Sequence, residues 1–313
     1  MKYVTLAGAA LLAAAFMSGT SDAADAVFAR PAPERIDLAT RDAAQVEVAR
    51  LENAFLPESN ADTIDAMLTA AGLTVSEVRE EDALVPRVFA AALPADMAEI
   101  SQTTEKKRIF IKVMLPLVLD ANEHIMDDRA QLLYLKTLID IDQPIETEDR
   151  IWLEDLAALY YVDDNDLDEL LRRVDVIPAS LALAQSALES GWGTSRFAHE
   201  GNAVFGQRSW NEDEGIVPEA RPAGEGHVVK AFDGLRDSVL AYLVNLNRHP
   251  AYEHLRQLRV DLHAQELAID GWTLAGGLDD YAEHPGYVDL VRSVIRQNKL
   301  TDFDDARLAD LTI

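Results

Sequence analysis

The chain has 313 residues, of which 49% are hydrophobic and none is cysteine, and its formal net charge is −27 at pH 7. This length and composition can bury the core of one sizeable domain plus a smaller region. The absence of cysteine excludes disulfides and every thiol mechanism. The negative charge argues against nucleic acid and anionic membrane as partners, because both require a positive face.

The first 23 residues have the organisation of a secretory signal peptide. Lys2 supplies a positive start, residues 4–17 form an apolar segment, and residues 21–23 place small side chains around a cleavage site. An uncleaved anchor is the less favoured alternative, because the apolar segment is shorter than a membrane-spanning helix. We therefore predict a secreted or periplasmic protein, with no stable membrane insertion after cleavage.

Residues 24–85 are predicted to form an N-terminal lead-in with short helices. The stretch begins with Ala, Pro and charged residues, and one helix is expected near residues 43–55. A second helix is expected over residues 60–71, where Asn60 or Asp62 can cap the start and a glycine follows the end.

Residues 86–170 are predicted to form a helical region. The pattern is helical over most of residues 105–139, but Pro116 predicts a kink or a break there. The apolar run over residues 109–119 contains Lys112 and is too short to span a membrane. It therefore predicts a buried core helix.

Acidic residues concentrate at the end of this region. Eleven Asp or Glu residues between positions 142 and 169 are accompanied by a single base, Arg150, which is typical of a solvated face or loop. Residues 164–168 superficially resemble a calcium loop, but Glu169 stands where the turn needs glycine and Asp175 replaces the bidentate Glu. The seven histidines show no zinc-binding spacing. No metal site is predicted.

A single carboxylate, Glu189, follows in an apolar helix. Apolar residues recur at helical spacing from Leu181 to Leu188, so the helix should run to about Ser190 and Gly191 can supply a left-handed cap. The negative end of the helix dipole and desolvation by Trp192 should both raise the pKa of this carboxyl. A general acid needs a raised pKa, although position alone also fits a solvated residue in a last turn.

The pattern changes after this helix. Residues 202–210 and 227–232 contain β-forming residues joined by a connection rich in Gly, Pro and Glu, which predicts a small β-hairpin lobe. Further helices are expected up to about Asn247 with Asp233 as the cap, over residues 258–269, and over residues 288–300.

The sequence around Glu189 resembles a known family. Residues 187–198 read ALESGWGTSRFA and residues 201–207 read GNAVFGQ, which together resemble the signature of bacterial peptidoglycan N-acetylglucosaminidases. The family is named after mannosyl-glycoprotein endo-β-N-acetylglucosaminidase, and the likeness is strongest to its Bax-like members. The resemblance extends to FDGLRDS at residues 232–238, YLVNLNRHPAY at residues 242–252 and YAEHPGY at residues 281–287. It covers residues 171–300 well and residues 86–135 more loosely.

This resemblance implies a mainly helical α+β fold, in which a lysozyme-like helical body and a small β-hairpin lobe enclose a cleft. It implies a catalytic domain over residues 171–303, followed by a tail of residues 304–313. It also implies a cofactor-free glycoside hydrolase that cleaves peptidoglycan glycan strands at N-acetylglucosamine. Glu189 would act as the general acid and protonate the departing glycosidic oxygen while the sugar becomes oxocarbenium-like.

Substrate-binding residues are expected around this segment. Sugar rings pack their C–H faces on aromatic planes, so Trp192, Phe205 and Tyr287 are candidates for binding. Ordinary core packing is the alternative for Phe205. Asn202 can contact an acetamido group or simply make a turn.

The family has a functionally important tyrosine where this chain has Tyr281, in a Tyr-Ala-x-x-Pro-x-Tyr segment. The family often carries an aspartate directly before that proline, whereas this chain has His284. Either Glu283 supplies the acid one residue early or the acid is dispensable.

The sequence leaves the second catalytic group open. Five acids lie in the connection between the two expected strands: Glu212, Asp213, Glu214, Glu219 and Glu225. Glu225 and Glu214 rank first, because Glu225 abuts the strand at His227 and Glu214 opens a turn. A third route needs no second carboxylate, since the substrate's own acetamido group can attack while Tyr281 orients it.

Two alternative functions remain at this point. A lytic transglycosylase or muramidase on the same fold is the alternative enzyme, because a Glu-Ser pair at a helix end also occurs there. A non-catalytic scaffold that binds the cell wall is the alternative outside enzymes, although a binder has no need of a poorly placed carboxyl. The expected partner is the peptidoglycan glycan strand, and the sequence identifies no protein partner.

Overall fold

The computed structural model describes residues 54–80, 83–163, 166–219, 221, 226–279, 281 and 286–310. The predicted signal peptide and most of the helix expected near residues 43–55 lie outside these residues. Ala54 and Phe55, at the end of that expected helix, instead belong to a strand. This part of the prediction is wrong because the strand pairs in parallel with residues 88–90 and buries Ala54 and Leu56.

The described chain consists of helices and short strands. They are β1 (Ala54–Leu56), α1 (Ala61–Ala70), α2 (Val75–Glu80), β2 (Val88–Ala90), α3 (Thr103–Asp140), α4 (Thr147–Leu159), α5 (Leu167–Arg173), α6 (Ala179–Ser190), α7 (Arg196–Gly201), β3 (Arg208–Ser209), β4 (Gly215–Ile216), β5 (Val228–Lys230), α8 (Leu235–Arg248), α9 (Glu253–Ala264), α10 (Gly271–Leu274) and α11 (Tyr287–Gln297). Single 3₁₀ turns cover Glu212–Glu214, Pro250–Tyr252, Ala275–Gly277 and Leu300–Phe303.

The fold is mainly helical with a small sheet, which confirms the predicted fold class. In that sheet β5 lies between β3 and β4 and runs antiparallel to both. The sequence predicted only a hairpin, but Gly215 and Ile216 of the expected connection fold back onto β5 as a third strand. Only glycine fits at position 215, since a Cβ there would lie 2.1 Å from the Val229 carbonyl oxygen.

The 38-residue helix α3 packs against α6 and α8. The helix continues through Pro116, so of the two predicted outcomes, a kink or a break, the break does not occur. Every residue from Ile109 to Ala121 is buried, which confirms the predicted core helix. This packing on all sides offsets the backbone hydrogen bond that Pro116 cannot donate.

Asp65 of α1 neutralises the buried charge of α3. Lys112 Nζ donates to Asp65 Oδ1 at 2.6 Å and to Thr69 Oγ1 at 2.6 Å, and Arg108 adds two bonds of 2.6 and 2.9 Å to the same carboxylate. Burial by itself raises the pKa of Asp65, but the hydrogen bonds from Arg108 and Lys112 hold it below its ordinary value. Asp65 therefore stays ionised in the folded protein.

The observed helix boundaries show which capping residues were predicted correctly from the sequence. Asn60 caps α1 by accepting from the Thr63 amide at 2.9 Å, as predicted. Asp233 does not cap α8, because Gly234 occupies the cap position and the Leu235 amide donates to the Ala91 carbonyl instead. Helix α9 begins at residue 253, five residues earlier than predicted, because the 3₁₀ turn before it leads straight into the helix.

One hydrophobic core extends from Ala54 to Leu308. Residues 304–310, predicted as part of a tail, are bonded to the body. The Ala309 amide donates to the Val85 carbonyl at 2.8 Å, and Arg87 Nε donates to the Ala309 carbonyl at 2.6 Å. Within the described ranges, no helix has the combination of length and low polarity that crossing a bilayer requires.

Candidate active site

Helix α6 ends one residue after Glu189, as predicted. Gly191 adopts the left-handed conformation with a φ of 61°, and the Trp192 amide donates to the Ala187 carbonyl at 2.8 Å. The helix is buried along its length from residue 179 to residue 187. Glu189 is therefore held at the carbonyl end of a helix that is packed on all sides.

Asp304 holds the opposite end of α6. Its carboxylate accepts hydrogen bonds from the Ser180 amide and hydroxyl, both at 2.7 Å, and from the Gly271 amide at 3.3 Å. Burial raises the pKa of Asp304 to about 6, although these donors favour the anion. A carboxylate here also complements the positive end of the helix dipole.

The Glu189 carboxyl has one hydrogen-bond donor and no cationic partner among the described residues. Tyr287 Oη donates to Oε1 at 2.8 Å. Burial raises the pKa of Glu189 above its ordinary 4.5, and the bond from Tyr287 offsets only part of this. The direction agrees with the expectation from sequence. The group therefore keeps its proton to a higher pH than an exposed glutamate does.

Gly206 faces the other carboxyl oxygen. A Cβ at this position would lie 3.6 Å from Glu189 Oε2. Because Gly206 has no side chain, it does not cover that oxygen. Gly206 also has a φ of 61°, which favours glycine. The two oxygens of Glu189 thus differ, because Oε1 is bonded to Tyr287 and Oε2 faces a position without a side chain.

A buried hydrogen-bond chain leads to Oε1. Tyr242 Oη donates to Gln185 Oε1 at 2.5 Å, Gln185 Nε2 donates to Tyr287 Oη at 3.1 Å, and Tyr287 in turn donates to Glu189. A phenol has a single proton to donate. Because the Gln185 amide occupies the acceptor side of the Tyr287 hydroxyl, that proton is directed at the carboxyl.

Stacked aromatic rings hold this chain in place. Tyr281 stacks on Tyr287 with ring centroids 5.1 Å apart, and Phe205 stacks on Tyr242 at 3.7 Å. The Tyr281 hydroxyl donates to the Phe205 carbonyl at 3.2 Å, which ties the two stacks together. Of the predicted site residues, Glu189, Tyr281, Phe205 and Tyr287 are therefore brought together, and both ends of the segment at residues 281–287 reach the same place.

Two predicted residues, Trp192 and Asn202, have their side-chain contacts elsewhere. Trp192 packs edge-on against Phe110 of α3, with ring centroids 5.6 Å apart. Asn202 follows α7 in a left-handed conformation, and its Nδ2 donates to the Phe232 carbonyl at 3.1 Å. The strand expected to start there begins only at residue 208, because Asn202 and Gly206 both adopt the left-handed conformation, which does not continue a strand. Residues 196–201 form helix α7, which was not predicted.

Glu214 belongs to the small sheet's own hydrogen-bond network. Its carboxylate accepts from Ser209 Oγ at 2.7 Å and from Asn211 Nδ2 at 3.1 Å. These bonds, led by that from Ser209, lower the pKa of Glu214 below its ordinary value. The other leading candidate, Glu225, lies outside the described residues, as do Glu283 and His284.

The sequence reasoning missed Gln185, Tyr242 and Gly206 as site residues. Gln185 carried a usable signal, because it is a polar residue four positions before Glu189 on a face otherwise made of apolar residues. Tyr242 lies in a segment covered by the family resemblance, but its contact with Gln185 joins residues 57 positions apart and was not predictable from spacing. In the part of the chain that the structure describes, no cluster of three or more His, Cys, Asp or Glu side chains could hold a metal ion.

Comparisons with known proteins identify the family. Residues 165–300 match the family model described as mannosyl-glycoprotein endo-beta-N-acetylglucosaminidase, named Glucosaminidase. Protein bax of Escherichia coli (strain K12) is 30% identical over 198 residues, which are 61% of this chain and 69% of that protein. The chain belongs to the glucosaminidase family. It is accordingly a glycoside hydrolase.

Two further matches cover smaller parts of this glucosaminidase. Peptidoglycan hydrolase FlgJ of Vibrio parahaemolyticus is 33% identical over 129 residues, which are 38% of this chain and 40% of that protein. The solved catalytic domain of the autolysin Auto from Listeria monocytogenes is 16% identical, with a TM-score of 0.30, and the match covers 51% of this chain and 90% of that one. The matched region of the glucosaminidase contains the whole chain of hydrogen bonds from Tyr242 to Glu189.

Proposed function

We propose that this glucosaminidase is a peptidoglycan hydrolase that acts outside the cytoplasm, cleaving the glycan strand at N-acetylglucosamine with Glu189 as the general acid. The family and the printed activity of FlgJ support the substrate class. The observation that carries the residue assignment is the Glu189 carboxyl itself, with its raised pKa and its single donor. The signal-like segment at residues 1–23 supports export.

The two oxygens of Glu189 have different tasks in this proposal. Oε2 faces Gly206 and carries the proton, which passes to the glycosidic oxygen as the bond from that oxygen to the sugar carbon breaks. The bonding electrons leave with the oxygen, and the sugar becomes oxocarbenium-like. Negative charge then develops on Glu189, where the Tyr287 hydroxyl already donates to Oε1 and stabilises it.

Gln185 and Tyr242 act as positioning residues in this scheme. Their hydrogen bonds orient the Tyr287 proton before the reaction begins, so no reorganisation is needed as the carboxylate forms. The rings of Tyr281 and Phe205 keep both tyrosines in register. Trp192 and Asn202 remain proposed contacts for the sugar and its acetamido group.

The second catalytic group is supplied by one of three routes. Glu214 is ionised, as a base or nucleophile requires, but both of its oxygens are bonded within its own lobe. Reaching a substrate from there requires those bonds to break. Glu225 is the second route, and attack by the acetamido group of the substrate is the third. The geometry of Glu214 favours the latter two.

Digestion of purified sacculi followed by mass spectrometry of the new sugar ends tests the proposal. We expect reducing N-acetylglucosamine ends from the wild type and none from Glu189→Gln. Anhydro-muramic ends would identify a lytic transglycosylase, and reducing muramic ends a muramidase. The absence of new ends would favour a wall-binding scaffold instead.

A further inference from the structure

A basic groove lies on the helical body, between α2, the start of α3 and the residues that follow α11. Its volume is about 750 Å³, within the range of small-ligand sites. Its charged lining residues are Arg79, Lys107, Arg108, Lys112, Lys299 and Glu80. Five bases and one acid thus line a groove in a chain with 28 bases and 55 acids. Basic residues thus outnumber acidic ones in the groove, whereas acidic residues outnumber basic ones in the whole protein.

Two of these bases are not neutralised. Asp65 binds Arg108 and Lys112, and Asp302 lies 4.0 Å from Arg79. Lys107 and Lys299, by contrast, form no ion pair with a carboxylate among the described residues. Lys107 Nζ donates to Asn298 Oδ1 at 2.9 Å, which leaves two of its three N–H groups for a ligand.

Lys299 is held at the groove in an unfavourable backbone conformation. Its φ is 48° and its ψ is 48°, the left-handed region that costs free energy for any residue with a Cβ. Glycine would avoid that cost at the end of α11. The side chain of Lys299 is exposed at the groove.

We propose that this groove binds a short anionic peptide, of the carboxylate-rich kind that peptidoglycan attaches to its glycan strands. A long polyanion is disfavoured, because the net charge of −27 repels whatever extends beyond the groove. A short peptide stays within a screening length of about 8 Å of the lysines at physiological salt. The apolar lining residues Leu73, Val75 and Ile111 suit small aliphatic side chains between the carboxylates.

The groove is connected to the proposed site from two sides. Lys107 Nζ lies 4.7 Å from the centroid of the Trp192 ring, and Trp192 follows Glu189 by three residues. Helix α11 begins at Tyr287, which bonds Glu189, and the residues after its end line the groove. A glycan strand at Glu189 could therefore direct its attached peptide into the groove. The identity of the ligand rests on the proposed function, whereas its charge and size rest on the groove.

Calorimetric titration of the full chain tests the groove without any need for catalysis. The probe is the N-acetylated tetrapeptide of peptidoglycan, and its analogue with amidated carboxylates is the matched ligand. We expect the peptide to bind the wild type and Glu189→Gln equally, and the amidated analogue to bind at least about tenfold more weakly. Lys107→Gln combined with Lys299→Gln should weaken peptide binding by about tenfold to a hundredfold.

The control is a second double variant that removes the same charge. Lys106→Gln combined with Lys136→Gln leaves the groove lining unchanged, and peptide affinity should stay within about twofold of the wild type. Thermal unfolding of both double variants checks that the fold is kept. With an active enzyme, Lys299→Gln alone, which leaves the contact between Lys107 and Trp192 in place, should also raise KM for intact sacculi and leave KM unchanged for glycan stripped of peptides.

Other results would overturn the proposal. Equal weakening in both double variants would mean that only total charge matters. Equal binding of the amidated peptide, displacement by inorganic phosphate at equal concentration, or preferential binding to anionic vesicles would each assign the groove to another ligand. Peptide binding without hydrolysis of sacculi would keep the groove and reject the proposed function, and hydrolysis without peptide binding would do the reverse.

Discussion

Asp65 and Glu189 are carboxyl groups on helices of the same core, and the folded protein shifts their pKa values in opposite directions. Burial raises both values. Asp65 accepts hydrogen bonds from the cations Arg108 and Lys112, and its pKa lies below the ordinary value. Glu189 accepts one only from the neutral hydroxyl of Tyr287, and its pKa lies above the ordinary value. Glu189 is also the more deeply buried of the two, so deeper burial and a neutral partner together make it an acid that can give up a proton, whereas two cationic partners keep Asp65 a structural anion.

Replacing Glu189 with Gln should have the largest effect on activity. The amide keeps the shape of the side chain but has no acidic proton, so kcat on sacculi should fall by about a hundredfold to ten-thousandfold. Asp65→Asn is the matched control, and it should retain turnover. Substantial residual activity in Glu189→Gln would remove this residue from the mechanism.

Tyr287→Phe should have the next largest effect. Removing the donor to Oε1 raises the pKa of Glu189 further, so the alkaline limb of the pH profile of kcat/KM should move upward. The maximum should fall by about tenfold to a hundredfold, the usual worth of a hydrogen bond to a charged group. Tyr242→Phe, two bonds further along the chain, should give a smaller change in the same direction. An alkaline limb that does not move would contradict this role.

Stability as a function of pH should separate the two carboxyls by sign. The lowered pKa of Asp65 means that its contribution is present above about pH 3.8 and is lost below it. Asp65→Asn should therefore cost about 2–3 kcal/mol at pH 7, because it leaves Lys112 buried and unpaired, and less in acid. Chemical denaturation at pH 3 and pH 7 measures both values.

Glu189→Gln should behave oppositely in the same experiment. A raised pKa means that ionisation costs stability above the ordinary value of 4.5, so the variant should equal or exceed the wild type at pH 7. The two proteins should converge in acid. A variant that is clearly less stable at pH 7 would show that Glu189 is stabilised as an anion.

Tyr281→Phe should have a smaller effect on activity. Its hydroxyl bonds the Phe205 carbonyl beside Gly206 and so positions the segment opposite Glu189. We expect turnover to fall by roughly threefold to tenfold, the worth of one neutral hydrogen bond, with KM little changed. A loss of thermal stability without a loss of kcat would assign Tyr281 to the core alone.

Alanine at Glu214 should have the smallest effect, because Ser209 and Asn211 already hold its carboxylate. Turnover should stay within about threefold of the wild type, the range of a surface substitution that mildly loosens its own lobe. Glu225→Ala is measured beside it. If either variant is as inactive as Glu189→Gln, a paired-carboxylate mechanism is established, and if both stay active, attack by the substrate's acetamido group is the better account.

The sequence predicted those parts of the site that depend on nearby residues. Helix α6 and its left-handed cap at Gly191 follow from periodicity and one glycine, and the direction of the Glu189 pKa shift agrees with the prediction, although burial is its cause. The bond from Tyr287 was not predictable from spacing, since it joins residues 98 positions apart. Its segment was identified only through the family resemblance.

Two of the errors in the fold have a common physical origin. Pro116 did not break α3, because tertiary packing outweighed the local cost of the proline. Asp233 did not cap α8, because the Leu235 amide donates to the Ala91 carbonyl instead. The third strand was missed because two residues carry too little pattern to be recognised. In the first two cases, a distant contact outweighed a local preference, whereas the third strand carried no local signal to follow.

The hydrogen bonds between Asp304 and the start of α6 bear on the order in which the chain folds during synthesis. The helix that carries Glu189 is fixed at its start by a residue 124 positions after Ser180, and at its end by Tyr287. Neither contact can form in a nascent chain that has been synthesised only as far as residue 189. We therefore expect α6 to take up its final position only after residue 304 has been made.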